Sequence, residues 1–202
     1  MRLAWGLAAL LGAGAALAAP QSVRDLPDDI RATRKGALDS RHATVLGVML
    51  DRDTLGAIES RFGPADSFEE RPRDPHARLQ VCYHLKAAKA RVVFGRPYLG
   101  SSVTPISQFE LHGKSPPRVP CVPSKADPRR VATPSGLRIG MTVASLRAIL
   151  GKPTEQGPGF LRFGFRHEAG KGADRYDVLS GVDAVVAKGR VASLAVWTIS
   201  TT

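Results

Sequence analysis

The side chains best equipped for chemistry here are two cysteines, Cys82 and Cys121, and five histidines, His42, His76, His84, His112 and His167. The cysteines are the only two in the chain and stand 39 residues apart. A redox pair favours Cys-x-x-Cys, and a zinc site wants more ligands at closer spacing, so this pair reads as one structural disulfide. Closing a loop of that length should stabilise the fold by about 4 kcal/mol through the entropy of the unfolded chain. Alternation along residues 79–86 puts His84 on the polar side of a strand. The same period of two puts Glu110 and His112 together on the polar side of another, beside Gln108. If those strands pair suitably, His84, His112 and Glu110 offer imidazole and carboxylate ligands to a divalent ion. The simpler expectation, adopted here, is a polar sheet face with no metal and no cofactor.

Nucleophilic and phosphate-binding motifs do not occur. There is no Gly-x-Ser-x-Gly elbow, no His-Glu-x-x-His and no dinucleotide glycine fingerprint. Gly170-Lys171 has the end of a phosphate loop, but Phe165 stands where the earlier glycine belongs and Gly172 where Ser or Thr belongs. No serine is marked as an activated nucleophile, so no catalytic residue is assigned and the chain is not expected to be an enzyme.

The strongest remaining feature is charge. Lys and Arg number 29 against 18 Asp and Glu, for a net +11. With 43% hydrophobic and 23% charged residues, the 202-residue chain is neither disordered throughout nor a multi-pass membrane protein. Residues 113–135 and 136–202 each carry a net +4, whereas residues 42–112 carry only +1. Arg162 and Arg166 are expected to project from a polar strand face, near Arg175 or Arg190. Such a surface attracts anionic lipid headgroups, acidic glycans or an acidic protein. Nucleic acid is not expected, because no aromatic residues interleave with the basic ones.

These groups must be positioned by a fold that the pattern partly specifies. Residues 1–18 read as a secretory signal: a basic start, a charge-free apolar run over 3–17, then Ala16-Leu17-Ala18 before the cut. The run is about 15 residues, short of the roughly 20 that span a bilayer. Cleavage after Ala18 and a periplasmic or secreted location follow, and a disulfide fits both. Residues 19–41 lack periodicity and read as a flexible arm.

Beyond them the chain repeats itself. Thr54 begins a helical pattern of Leu55, Ile58 and Phe62 that stops at Gly63-Pro64; Thr142 begins one of Val143, Leu146 and Leu150 that stops at Gly151 and Pro153. Each is followed by strand-like alternation. The expected fold class is α+β: two tandem repeats, 42–112 and 136–202, each a short helix packed on its own three-stranded antiparallel meander. A proline-rich connector, 113–135, joins them and is tied back by Cys121. One face of each sheet should stay polar and open.

The run Gly140-Met141-Thr142-Val143-x-x-Leu146-x-x-x-Leu150-Gly151-x-Pro153, with the Gly189-Arg190-Val191 turn, resembles the SmpA/OmlA (BamE-like) envelope domain. Two such units in tandem resemble the architecture of the β-lactamase inhibitory proteins. The lipid-attachment cysteine of the outer-membrane-assembly members has no counterpart here. The resemblance implies a paired helix-plus-sheet fold and a tendency to bind other proteins, and no catalytic residues. The functional expectation is a secreted or periplasmic, non-catalytic protein-binding or adaptor module of the bacterial cell envelope. It would bind through the polar sheet face or the basic connector, with Arg162, Arg166, Arg175, Arg190, His84, Glu110 and His112 as the binding residues. The alternatives are an inhibitor of an envelope hydrolase, for which Tyr83, Tyr98, Tyr176 and Trp197 would be the aromatic anchors, and a metal protein or enzyme built on His84, Glu110 and His112.

Overall fold

The computed structural model describes residues 23, 32–70, 78–97, 103–114, 117, 119–126 and 128–201. The expected leader, 1–18, lies outside the described residues, as do His76 and Tyr98.

Two helices form where the capping residues place them. α1 (Leu55–Phe62) starts at Thr54, whose hydroxyl accepts from the Ala57 N–H at 3.3 Å. α2 (Val143–Leu150) starts at Thr142, whose hydroxyl accepts from the Ser145 N–H at 3.1 Å. Each hydroxyl satisfies one of the donors that a helix start leaves free. Gly63 and Gly151 end the helices with φ of 104° and 79°, a backbone region that favours glycine.

The strands do not form two separate meanders. β1 (Arg34–Lys35), β4 (Phe68–Glu70), β5 (Arg78–Leu85), β6 (Ala90–Pro97), β7 (Gln108–His112), β10 (Phe160–Ala169), β11 (Tyr176–Ala187) and β12 (Arg190–Thr201) lie in one mixed sheet. Their order is β1-β10-β11-β12-β7-β6-β5-β4, and two more strands, β8 (Val122–Pro123) beside β5 and β9 (Glu155–Gly157) beside β10, make ten. A separate ribbon pairs β2 (Thr44–Val45) with β3 (Val48–Met49). The expectation of a short helix on each of two independent three-stranded meanders is therefore corrected to one large sheet with two short helices.

The physical reason lies at the seam and in the core. β7 and β12 pair antiparallel over five positions, from Ser193↔His112 to Trp197↔Gln108, so the two halves share a hydrogen-bonded ladder. An eight-residue helix rises only about 12 Å and covers little of a sheet. The apolar faces of both halves instead pool into one cluster. It joins Ile58 and Phe62 of α1 and Leu146 and Leu150 of α2 to Tyr83, Phe94, Phe109, Phe163, Val182 and Leu194 of the sheet. Phe62 packs on Tyr83 and Phe94 with ring centroids 5.4 and 5.8 Å away. The Tyr83 hydroxyl donates to the Gly63 carbonyl at 2.9 Å, fastening the sheet to the end of α1. Burial, with the Glu59 charge, pushes its phenol up to about 12.

Residues 34–35 of the expected arm and 122–123 of the connector add strands to this sheet; apart from Val23, residues 19–31 of the expected flexible arm lie outside the described residues. β8 runs parallel to β5, and the disulfide Cys82–Cys121 joins them with a Cα–Cα distance of 4.4 Å. In the arm, β1 runs parallel to β10, with the Arg34 guanidinium 4.4 Å from the Phe165 ring centroid.

Candidate functional site

Of the polar residues singled out from sequence, Glu110, His112 and Arg162, with Gln108, share the sheet face opposite the helices, and there they are buried. Alternation along β7 sends Phe109 and Leu111 to the core and Gln108, Glu110 and His112 to the other side. There they form a chain of hydrogen bonds. Arg78 donates to the Gln108 carbonyl oxygen, the Gln108 amide donates to Glu110 Oε1 at 2.7 Å, and His112 Nε2 lies 2.7 Å from Glu110 Oε2. Glu110 and His112 are 1% and 0% exposed. Three strands away, on β10, Arg162 donates from Nε and Nη2 to Asp183 at 2.8 and 3.1 Å, and its Nη1 reaches Glu155 at 3.4 Å. Burial pushes the Asp183 carboxyl up, while the Arg162 guanidinium pulls the other way. The Trp197 ring lies over Gly181, where a Cβ would come within 2.5 Å of it.

Local chain segments lie against this face. The Val23 N–H donates to Ser193 Oγ at 3.1 Å, and the Val23 side chain packs with Val185 and Ala195. Val119 packs with Cys82 and Val93. The expected open polar face is thus corrected: its central charges are engaged with one another and shut away from solvent. A general acid or base needs reach to a substrate; these two buried networks tie β5 to β7 and β10 to β9 and β11.

The individual residues are dispersed. His84 is half-buried on β5, and Arg91 of β6 stands between it and His112. Two strand spacings, about 10 Å, separate the two histidines, well beyond what a common ion bridges. No group of three or more metal-ligating side chains occurs among the described residues. Arg166 pairs with Asp177, and Arg175 lies 4.0 Å from Glu168, both near the outer ends of β10 and β11. Arg190 is exposed at the opposite end of the sheet. Of the proposed aromatic anchors, Tyr83 and Trp197 are buried and Tyr176 is 38% exposed.

At the end of the sheet where β5, β7, β8 and β11 finish, the structure gathers Arg190 and cations of the basic connector, both expected from sequence, with others that were not. The β5–β6 turn carries Lys86, Lys89 and Arg91, and Lys114 follows β7. Lys125 follows β8, held there by the Ser124 N–H donating to the His84 carbonyl at 3.2 Å. The β11–β12 turn carries Lys188 and Arg190. Hydrogen bonds from Gly140 N to Val191 O (2.8 Å) and from Val191 N to Met141 O (2.9 Å) dock Arg138 beside it. Six of the eight are exposed, Arg91 and Arg138 being half-buried. The segments that carry them, 86–91, 112–114, 124–126, 138–142 and 187–190, contain no Asp or Glu.

Two of these lysines occupy backbone positions that disfavour them. Lys89 and Lys188 have φ of 50° and 51°. Ala187 pairs with Arg190 across a two-residue turn, and Gly189 has φ of 71°. Such a turn wants positive φ at both central residues, hence Asn-Gly. Lysine in the left-handed region costs about 1 kcal/mol or more, and such strain clusters at functional positions.

The opposite end of the sheet has both signs of charge, paired. Arg52 contacts Asp53 at 3.2 Å, and Arg166 and Arg175 face Asp177 and Glu168. The small net charge of residues 42–112 thus conceals an uneven spread along the strands: among the described residues, Lys86, Lys89 and Arg91 stand at one end, while at the other Asp51, Asp53 and Glu69 are offset by Arg52, Arg78 and Arg96. Comparison with family models, with curated proteins and with solved structures finds no match to this chain.

Proposed function

We propose that the chain is a non-catalytic binding module of the bacterial cell envelope, working outside the cytoplasm through the basic end of its sheet. The observation that carries this reading is the single-signed cluster itself. Strand ends from both halves of one sheet present Lys86, Lys89, Lys114, Lys125, Lys188 and Arg190 to solvent, with no acid among the described residues of the turns and loops that carry them. Two of the lysines stand where asparagine or glycine would fit the backbone better. The disulfide suits an oxidising compartment, as does the leader-like sequence of residues 1–18. No helix among the described residues is long and apolar enough to cross a membrane.

The test is crosslinking capture from isolated cell envelopes, with residues 19–202 as bait at low and at high salt. That span contains every described element. A matched bait carries Lys86→Glu, Lys114→Glu and Lys188→Glu. The reading expects envelope material retained by the first bait at low salt and lost with the second. Equal retention by both baits would move the working surface elsewhere, and empty capture by both would remove the binding function.

A further inference from the structure

We infer that the basic end of the sheet docks on an anionic phospholipid bilayer, so that the protein lies peripherally on a membrane with its strands pointing towards it. This deepens the binding reading above and rests on it. The cations stand at the ends of six neighbouring strands, β8, β5, β6, β7, β12 and β11. At the usual strand spacing they extend over about 24 Å. They sit on turns and loops along the rim of the sheet.

Composition separates the remaining partners. Lysine predominates at this end, and lysine is depleted in protein–protein interfaces, which favour aromatic anchors and arginine. An ammonium on a flexible stem is a point charge without the fixed fork of a guanidinium. It suits a fluid layer of phosphates that rearranges to meet it. Among the described residues, the exposed large apolar side chains, Phe68, Val103, Tyr176 and Ile199, all belong to the opposite end of the sheet. Contact at the basic end is therefore electrostatic and without insertion. Basic residues near an anionic leaflet each add about 1 kcal/mol, a factor of about five in affinity. The uneven spread of charge along the strands orients the approach, since the basic end leads in the field of the membrane.

The left-handed lysines allow a test that does not endanger the fold. Asparagine tolerates positive φ better than lysine, so Lys89→Asn with Lys188→Asn should leave the melting temperature unchanged or raise it. The same change removes two charges from the rim and should weaken membrane binding by about thirty-fold. Residues 19–202 of both proteins are sedimented with phosphatidylcholine vesicles, with and without phosphatidylglycerol, at low and high salt. Omitting residues 1–18 keeps their apolar run from partitioning into the lipid. Retention on agarose bearing an anionic polysaccharide is measured in parallel. Binding that requires phosphatidylglycerol, fades with salt and drops in the double variant supports the inference. Retention on the polysaccharide without vesicle binding overturns the lipid assignment and leaves the binding module standing. Absence of both overturns the two together. Vesicle binding unaffected by the two substitutions refutes the placement at this end.

Discussion

Replacing Ile58 by alanine tests whether the two halves of the chain share one core. Ile58 lies on α1, is 1% exposed, and belongs to the same buried cluster as Leu146 on α2 and Leu194 on β12. The substitution deletes three buried carbon groups, worth about 2.4 kcal/mol at about 0.8 kcal/mol each. The cavity left behind raises the cost to about 3 kcal/mol. At this chain length that lowers the melting temperature by about 6–12 °C. Trp197 is the only tryptophan in residues 19–202, and it stands on β12 at the ladder that joins the halves. Urea unfolding is followed by Trp197 fluorescence and by far-ultraviolet circular dichroism in the parent, Ile58→Ala and Leu146→Ala proteins. The single-sheet fold requires that both probes give one coincident transition and that each substitution shifts it. An Ile58→Ala protein whose Trp197 transition stays in place while circular dichroism shows an earlier one would restore two independent cores.

Three further outcomes follow from the same structure. Replacing Cys82 and Cys121 together by serine should cost about 4 kcal/mol, as a loop of 39 residues implies, measured by denaturant unfolding against the oxidised parent; an unchanged midpoint would show that the bridge constrains little. Gly181→Ala drives a methyl into the Trp197 ring and the Phe163 carbonyl, so it should destabilise by about 1–3 kcal/mol and shift the tryptophan emission; a silent substitution would place the ring elsewhere. Asp39, held by the side chain and backbone of Arg41, should titrate at about 2 by nuclear magnetic resonance and return towards the ordinary carboxylate range in Arg41→Ala. The small stability linked to this lowered pKa is present above the unfolded value near 3.8 and is lost as pH falls through about 2.

Local features were legible in the sequence because local physics decides them. Thr54 and Thr142 announced the helix starts, Gly63 and Gly151 the ends, and the isolated cysteines their bond. What alternation could not reveal was the fate of the second sheet face. A period of two sorts Gln108, Glu110 and His112 from Phe109 and Leu111, but it does not say what lies over either set. That was decided by contacts distant in sequence, such as the hydrogen bond from Val23 to Ser193 across 170 positions. The pairing of β7 with β12 was hidden for the same reason, since strand partnership depends on tertiary arrangement more than on the pattern of either strand. The basic end was obscured by summing charge over stretches of chain. Antiparallel strands return to the same end of the sheet every two elements, so lysines far apart in sequence gather there. The one sequence clue was the Lys188-Gly189 turn, a place where asparagine would be ordinary.

The most direct test of the central claim is hydrogen exchange of residues 19–202, read by mass spectrometry with and without phosphatidylglycerol vesicles. The account predicts new protection confined to the basic rim, in peptides covering 86–91, 112–114, 124–126, 138–142 and 187–190. Protection centred instead on the opposite end, around Phe68, Tyr176 and Ile199, would contradict it.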